Sequence, residues 1–302
     1  MTLETSASAL PRRRRPNRRE TMQGVALMLG AFFCYALADL LAKLLTQSFN
    51  PLQVAWMRQL GLLAGVLVLF TLQGRRILRS RHPVLQTCRG LTVVAASTCF
   101  VVAIAYVPLA DAIAVSFLAP FMVTVLAALI LKETVDFKRW IAIVLGFIGT
   151  MVIIRPGFGA FHPAIFLVLI SAVAFAIRQI ISRFVSGTDP LPTTVAYTAL
   201  TAVLVLAVPL PFVGRVPDDW NELLLLVGMA CAAGGGELMV MRALELAEAV
   251  VLSPFQYTLM IWGTIWGFLV FAQLPDGWTI AGTAIVIASG IYSLYREARV
   301  AR

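Results

Sequence analysis

From residue 22 onward the chain is written in long apolar runs broken by short polar stretches. Runs such as "GLLAGVLVLF" (61–70) and "LVLISAVAFAI" (167–177) lack the alternation of a half-buried strand. A hydrocarbon core of ~30 Å needs ~20 helical residues per crossing, because backbone groups facing lipid must be satisfied within their own segment. The runs predict ten spans, at 22–46, 52–72, 84–106, 110–131, 138–154, 161–184, 190–212, 219–244, 248–270 and 277–295. The fifth is short, and only "VPLAD" separates the third from the fourth, so nine or eleven spans are also compatible. The expected fold class is an all-α polytopic membrane protein. A hydrophobic fraction of 60% with 13% charged residues agrees with it.

Charge then sets the orientation. One set of connections carries "RRRRPNRR" (12–19), Arg75, Arg76, Arg79, Arg81, Lys132, Lys138, Arg139, Arg183, Arg242, Arg296, Arg299 and Arg302. The other holds little beyond Arg155 and Arg215. Basic residues stay on the cytoplasmic side, so both termini are expected there, in a multi-pass protein of the cell (inner) membrane. The net charge of +9 is thereby explained by topology and anionic lipid, with no nucleic acid implied. Residues 1–20 read as a disordered basic cytoplasmic tail and 296–302 as a short basic one. The first apolar segment is too long for the core of a cleaved signal peptide.

The chain also repeats itself. "LADAIAVS" (109–116) returns as "LAEAVVLS" (246–253), offset by 137 residues. "NPL" (50–52) returns as "DPL" (189–191), and Asp136 and Asp276 each open a glycine-bearing helix. Residues 22–154 and 161–295 are thus two units of five helices each. An odd number of spans inverts the second unit, relating the two by a pseudo-two-fold axis in the membrane plane, an arrangement suited to alternating access.

With these units in view, the "LKE" (131–133) closing the fourth span, the polar loop and glycine-bearing helix after it, and "RALELAEAVVLSPFQYTLMIWG" (242–263) resemble the EamA-type carriers of the drug/metabolite transporter superfamily. The resemblance spans residues 22–295. It implies a secondary transporter of small organic metabolites, with amino acid export first and uptake of riboflavin, S-adenosylmethionine or a similar metabolite as the alternative. The second unit has "FAQLPDG" (271–277) where the first has Lys132 and Glu133, so no role passes to that loop.

Ionisable residues inside spans are the candidate site, because a charge at bilayer depth costs about 2.5–3.5 kcal/mol on insertion scales and usually faces a cavity. Asp39 and Arg58 share a depth and form a candidate charge pair, or coupling site, while Lys43, one turn from Asp39, is long enough to snorkel. Arg178 and Glu237 share a second depth as candidate cavity residues, with Asp39 and Arg178 equivalent between the units at an offset of 139. Pro120 and Pro254 interrupt equivalent helices and are candidate hinges. Phe121 and Phe255 follow them, and with Tyr257 and Trp262 supply an aromatic cavity lining, Trp266 lying nearer an interface. "GGG" (234–236) before Glu237 should loosen its helix or admit a close neighbour.

Other chemistries find little support. Cys34, Cys88, Cys99 and Cys231 show no metal or redox spacing, and His82 and His162 stand in loops beside prolines, so no metal or other cofactor is expected. No phosphate-cradling GxxxxGK[ST] occurs, and neither a histidine cluster nor a carboxylate pair marks a catalytic centre, leaving a membrane-embedded transferase as a remote alternative. The expected partners are a small-molecule substrate, the lipid bilayer and, as candidate coupling ion, the proton.

Overall fold

The computed structural model describes residues 17–132, 135–155, 162–185, 188–247 and 249–300, all of them helix or short connection. Glu133 of the "LKE" motif, Glu248 of "LAEAVVLS" and most of the basic tail lie outside the described residues. The helices are α1 (Arg18–Leu45), α2 (Pro51–Gln73), α3 (Pro83–Ile104), α4 (Leu109–Ser116), α5 (Ala119–Ile130), α6 (Phe137–Ile154), α7 (Ile165–Val185), α8 (Leu191–Ala207), α9 (Leu210–Val213), α10 (Trp220–Leu246), α11 (Ala249–Leu252), α12 (Thr258–Phe271) and α13 (Gly277–Val300). Among them, seven helical stretches are long and apolar enough to cross a membrane; α8 and the Gly277–Ser293 part of α13 are shorter apolar helices.

Local chemistry accounts for the boundaries. α1 starts before the expected residue 22, because the Asn17 side chain accepts from the Glu20 N–H while the Glu20 carboxylate accepts from the Asn17 N–H. Residues 18–20, read from sequence as part of the tail, are therefore helical. Asn50 caps α2 with Pro51 in its first turn, and the side chains of Asp219 and Asp276 accept from Glu222 and Thr279 N–H at the starts of α10 and α13.

The fourth span is two helices. α4 stops at Ser116, and Pro120 sits in the first turn of α5, where its missing donor costs nothing. In the equivalent place of the second unit, Pro254 lies in a 3-10 stretch, Ser253–Tyr257, between α11 and α12. Further on, Lys132 and Ala272 take left-handed backbone at φ 54° and 52°, the only such non-glycine positions besides Arg155 among the described residues.

Packing runs between the halves. α1 lies along α10 and α7 along α3; α2 meets α10 and α8 meets α3; α12 packs on α1 and α5 on α7; α6 pairs with α13 and α2 with α8. With α1, α2 and α3 equated to α7, α8 and α10 by the sequence repeat, each pairing is accompanied by its exchanged counterpart.

Glycines make these crossings close. A Cβ on Gly61 of α2 would strike the Ala230 carbonyl of α10, and one on Gly90 of α3 would lie 2.6 Å from Thr201 of α8. Residues 61 and 201, and 90 and 230, are each 140 apart, so the two contacts exchange as well. Where α6 crosses α13, a Cβ on Gly149 would come 2.8 Å from the Gly282 carbonyl. Gly65, one turn from Gly61, has nothing within 4 Å.

The connections are stapled by polar side chains. Asp189, before α8, accepts from Ser80 Oγ, Arg81 N–H and Gln86 Nε2. Gln53 of α2 both donates to the Arg215 carbonyl and accepts its N–H. Burial works to raise the Asp189 carboxyl, but the hydrogen bonds from Gln86, Ser80 and Arg81, with His82 nearby, outweigh it and hold the group below the usual carboxylate range.

Two outcomes are expected. Gly61→Leu should overpack the α2–α10 crossing and cost about 1–3 kcal/mol in detergent unfolding assays, while Gly65→Leu should be nearly silent. Because the Asp189 carboxyl is lowered on folding, its contribution is present above the unfolded value and lost as pH falls through the folded one. The acid limb of a thermal-unfolding profile, below pH ~4, should therefore flatten in Asp189→Asn.

Candidate functional site

Ionisable side chains well inside α1, α2, α3, α7 and α10 come within electrostatic reach of one another. Asp39, 3% exposed, accepts from Arg58 NH1 at 2.5 Å, so the charge pair read from sequence is an ion pair between α1 and α2. Glu237 of α10 is half-buried, and its partner is Tyr35, whose hydroxyl donates to Glu237 Oε2 at 2.5 Å.

Arg178, read from sequence as a cavity residue at the depth of Glu237, stands on α7. It forms no ion pair with Glu237 among the described residues; its guanidinium lies over the Phe175 ring at 4.5 Å, and its Nε is shut off from solvent without an acceptor. Arg89 of α3 completes the group, its Nε donating to Ser182 Oγ at 2.7 Å and NH1 to Thr198 Oγ1. Arg178 and Glu237 both act electrostatically on Arg89, and Glu237, Arg178 and Arg58 on Tyr35. Three guanidiniums thus stand against two carboxylates, one of which is engaged by Arg58.

The triple glycine is explained by this arrangement. α10 runs through it as unbroken helix. Gly234 lets the Gly61 backbone approach, a Cβ there lying 2.8 Å from it, and Gly236 makes room for the Tyr35 ring, 3.0 Å from where a Cβ would be. Gly235 borders open space. Close approach, rather than a loosened helix, is what these residues supply, and it lets Tyr35 reach the carboxylate one residue on.

The aromatic candidates are spread more widely. Phe121 and Tyr257 are buried in the main core at 1% and 6% exposure, Phe121 against Gly146 and the Tyr257 hydroxyl against Gly290, without a partner. Phe255 packs on a separate cluster around Met28 and Ala243. Trp262 is edge-on to Phe33 at 4.9 Å, and Trp266 packs on the core beside the same ring with its Nε1 buried and unpartnered, which is no interfacial anchor.

Farther along α1, Lys43 is buried and donates to the Val107 carbonyl at 2.6 Å, over the Phe271 ring, instead of snorkelling. Asp111 of α4 accepts from Thr279 Oγ1 at 3.0 Å, and Arg155 pairs with Asp276 at 2.5 Å, so side chains of both units fasten this end. A cavity of about 280 Å³ opens there, lined by Tyr106, Asp111, Arg155, His162 and Asp276 among others.

Sequence reasoning passed over Tyr35, Arg89 and Asp111. Arg89 lies within a predicted span, and the rule that selected Asp39 selects it too. Tyr35 carries no such signal; only the fold brings it to Glu237, 202 residues away.

Apolar helices of spanning length enclosing a mixed-charge group, with no cluster of metal-ligating side chains among the described residues, define a polytopic membrane protein with a polar interior. The chain belongs to the EamA-like transporter family, whose model matches residues 22–155 and 162–295. It is similar to an S-adenosylmethionine uptake transporter of Rickettsia prowazekii, 24% identical over 91% of this chain and 94% of that one. It is also similar to a riboflavin transporter of Vibrio cholerae, 27% identical over 93% and 96%, and to the pseudopaline exporter CntI of Pseudomonas aeruginosa, 26% identical over 89% and 94%. A crystal structure 18% identical superimposes with a TM-score of 0.65 over 92% of this chain and 99% of that one, a likeness of fold. The protein is a multi-pass transporter of the cell membrane and not an enzyme.

The Asp39–Arg58 pair allows a direct test. Asp39→Ala leaves a buried guanidinium unpaired and should cost about 3–5 kcal/mol, whereas replacing both partners by Leu and Met should recover most of it. Unfolding of the purified variants in mixed micelles measures both.

Proposed function

We propose that the protein is a secondary carrier that moves small organic metabolites by alternating access. In this reading ten spans form two inverted five-helix units, with both termini cytoplasmic. The observation that carries it is the charged group around Arg178 and Glu237, drawn from both units and set well inside the helices, since buried charge of this kind marks a solute or ion path. The exchanged packing of the halves supports it, because two equivalent arrangements can then interconvert around a fixed centre.

The remaining parts take roles accordingly. The Arg155–Asp276 pair and the Asp111–Thr279 bond close one end and part when that end opens. Pro120 and Pro254 stand where the fourth and ninth spans are interrupted and act as hinges. Glu237, held by one hydroxyl, is the candidate proton-coupling group. Tyr257 and Trp262 stay candidates for the wall of an opened state, as do Phe121 and Phe255.

For the solute, export of amino acids and uptake of a metabolite such as S-adenosylmethionine or riboflavin have equal standing: a relative named for S-adenosylmethionine uptake and one named a riboflavin transporter match as fully as one named for export. Counterflow in proteoliposomes loaded with a defined mixture of amino acids, S-adenosylmethionine and riboflavin tests the carrier reading. Saturable exchange is expected, and a conductance without counterflow would instead indicate a channel.

Two variants probe the mechanism. Glu237→Gln keeps the shape and the Tyr35 contact but removes the titration, so its flux should lose the pH dependence of the parent; superimposable flux–pH curves would remove Glu237 from coupling. Asp276→Asn loosens one end and should raise the labelling of cysteines placed beside Asp111 from that side.

A further inference from the structure

The cavity at the Arg155 end has walls of unequal charge. Both oxygens of Asp276 are engaged, Oδ1 by the Thr279 N–H at 2.8 Å and Oδ2 by Arg155 at 2.5 Å. The Thr279 hydroxyl donates to Asp111 Oδ1 at 3.0 Å, so one residue gathers two carboxylates beside a single guanidinium. Among the described residues Asp111 Oδ2 accepts no hydrogen bond, and no cation comes within ion-pair distance of Asp111. Lys43 does not serve, because the Val107 carbonyl holds its ammonium at 2.6 Å, over the Phe271 ring. The other walls are flat or aliphatic. Tyr106 and His162, one from each unit, stack with ring centroids 5.3 Å apart and planes 6° from parallel, and Val107, Ile154, Ile165 and Leu274 complete the lining. The volume of about 280 Å³ gives room for about ten non-hydrogen atoms, taking ~30 Å³ for one water. Tyr35, which reaches Glu237, and Lys43, beside this cavity, stand two turns apart on α1, roughly 12 Å by helical rise, so this is a separate place from the inner charged group.

We propose that this cavity is a second binding site, for a small organic cation whose ammonium or other onium group sits on Asp111 Oδ2 and whose flat body lies against Tyr106 and the aliphatic wall. The surplus carboxylate repels anions and leaves a cation as the charge the walls answer, through a charge-assisted contact on one side and the negative faces of the rings on the other. A neutral molecule of the same shape gains the apolar contacts alone. Because residues of both units line the cavity, an occupant touches the two together. In a carrier it is the station at which a cation rests before the Arg155–Asp276 and Asp111–Thr279 contacts part, and it sorts solutes by charge ahead of the inner group.

The role of station rests on the carrier reading, and the two fail differently. Thermal stabilisation of the purified full-length protein is titrated at pH 7 with 2-phenylethylamine, its uncharged analogue 2-phenylethanol, its saturated analogue 2-cyclohexylethylamine and the anion 3-phenylpropanoate, because a ligand of the folded form raises the melting temperature by mass action. The aromatic amine should bind about tenfold or more tighter than the alcohol, the equivalent of one charged contact, and the anion should bind most weakly. Asp111→Asn keeps an acceptor for Thr279 and should bring the amine down to the level of the alcohol. Tyr106→Leu alters a largely exposed ring and should remove the advantage of the aromatic amine over the saturated one, about threefold, so the site is tested even if Asp111→Asn does not fold. Equal binding of amine and alcohol, or an amine preference that neither variant reduces, overturns the assignment. Loss of the preference in Glu237→Gln with retention in Asp111→Asn overturns it too, by placing the amine at the inner group. Saturable counterflow of any solute alongside such a result leaves the carrier intact, whereas a charge preference that Asp111→Asn abolishes, without counterflow for any solute, keeps the site and removes the carrier reading.

Discussion

A charge carried into an apolar helical bundle has to be answered from within the bundle, because neither lipid nor bulk water is there to answer it. The positions of α1, α2, α3, α7 and α10 follow from that requirement. Asp39 needs Arg58, which ties α1 to α2; Glu237 needs Tyr35, which ties α1 to α10; Arg89 needs two hydroxyls, which ties α3 to α7 and α8. Each link crosses between helices that also pack together, so electrostatics and packing select the same arrangement. Arg178 is the exception, and its exceptional state is why it attracts a functional reading.

Bringing these groups together needs helix axes closer than ordinary side chains allow. Gly61, Gly90, Gly234 and Gly236 remove the obstructing Cβ atoms where α2, α3 and α10 meet their neighbours. Small residues at a crossing count for more in a membrane than in water, because lipid tails are as apolar as leucine and helix association draws on close contact and polar pairing instead. The glycines and the charges are therefore one device.

Much of this was legible in the residues. Apolar runs marked the helices, the repeat marked two related units, and the expense of intramembrane charge singled out Asp39, Arg58, Arg178 and Glu237. Asp39 and Arg58 met as their common depth suggested, and the two prolines fell at interruptions of equivalent helices. Arg178 and Glu237, read as cavity residues at one depth, form no ion pair with each other among the described residues, since helices at one level still present their side chains at different azimuths, which one sequence does not encode. Lys43 misled through its length: a flexible stem near a helix end suits snorkelling, yet the Val107 carbonyl, left free where α3 ends, captures the ammonium inside. Tyr35 was beyond reach because its meaning depends on a residue in another unit.

The exchanged pairing also bears on the order in which the chain is made. α1 emerges first, but its long partner α10 and the carboxylate that Tyr35 holds arrive only near the end of synthesis. Until then α1 carries an unanswered hydroxyl and a face of small residues, including Ala31 and Ala38, made for a neighbour that does not yet exist. The first unit is thus half of an interlocked pair, with native contacts of long sequence separation and correspondingly slow closure. A ribosome stalled between Arg155 and His162 would leave a set of inserted helices in search of their other half, a natural substrate for membrane quality control.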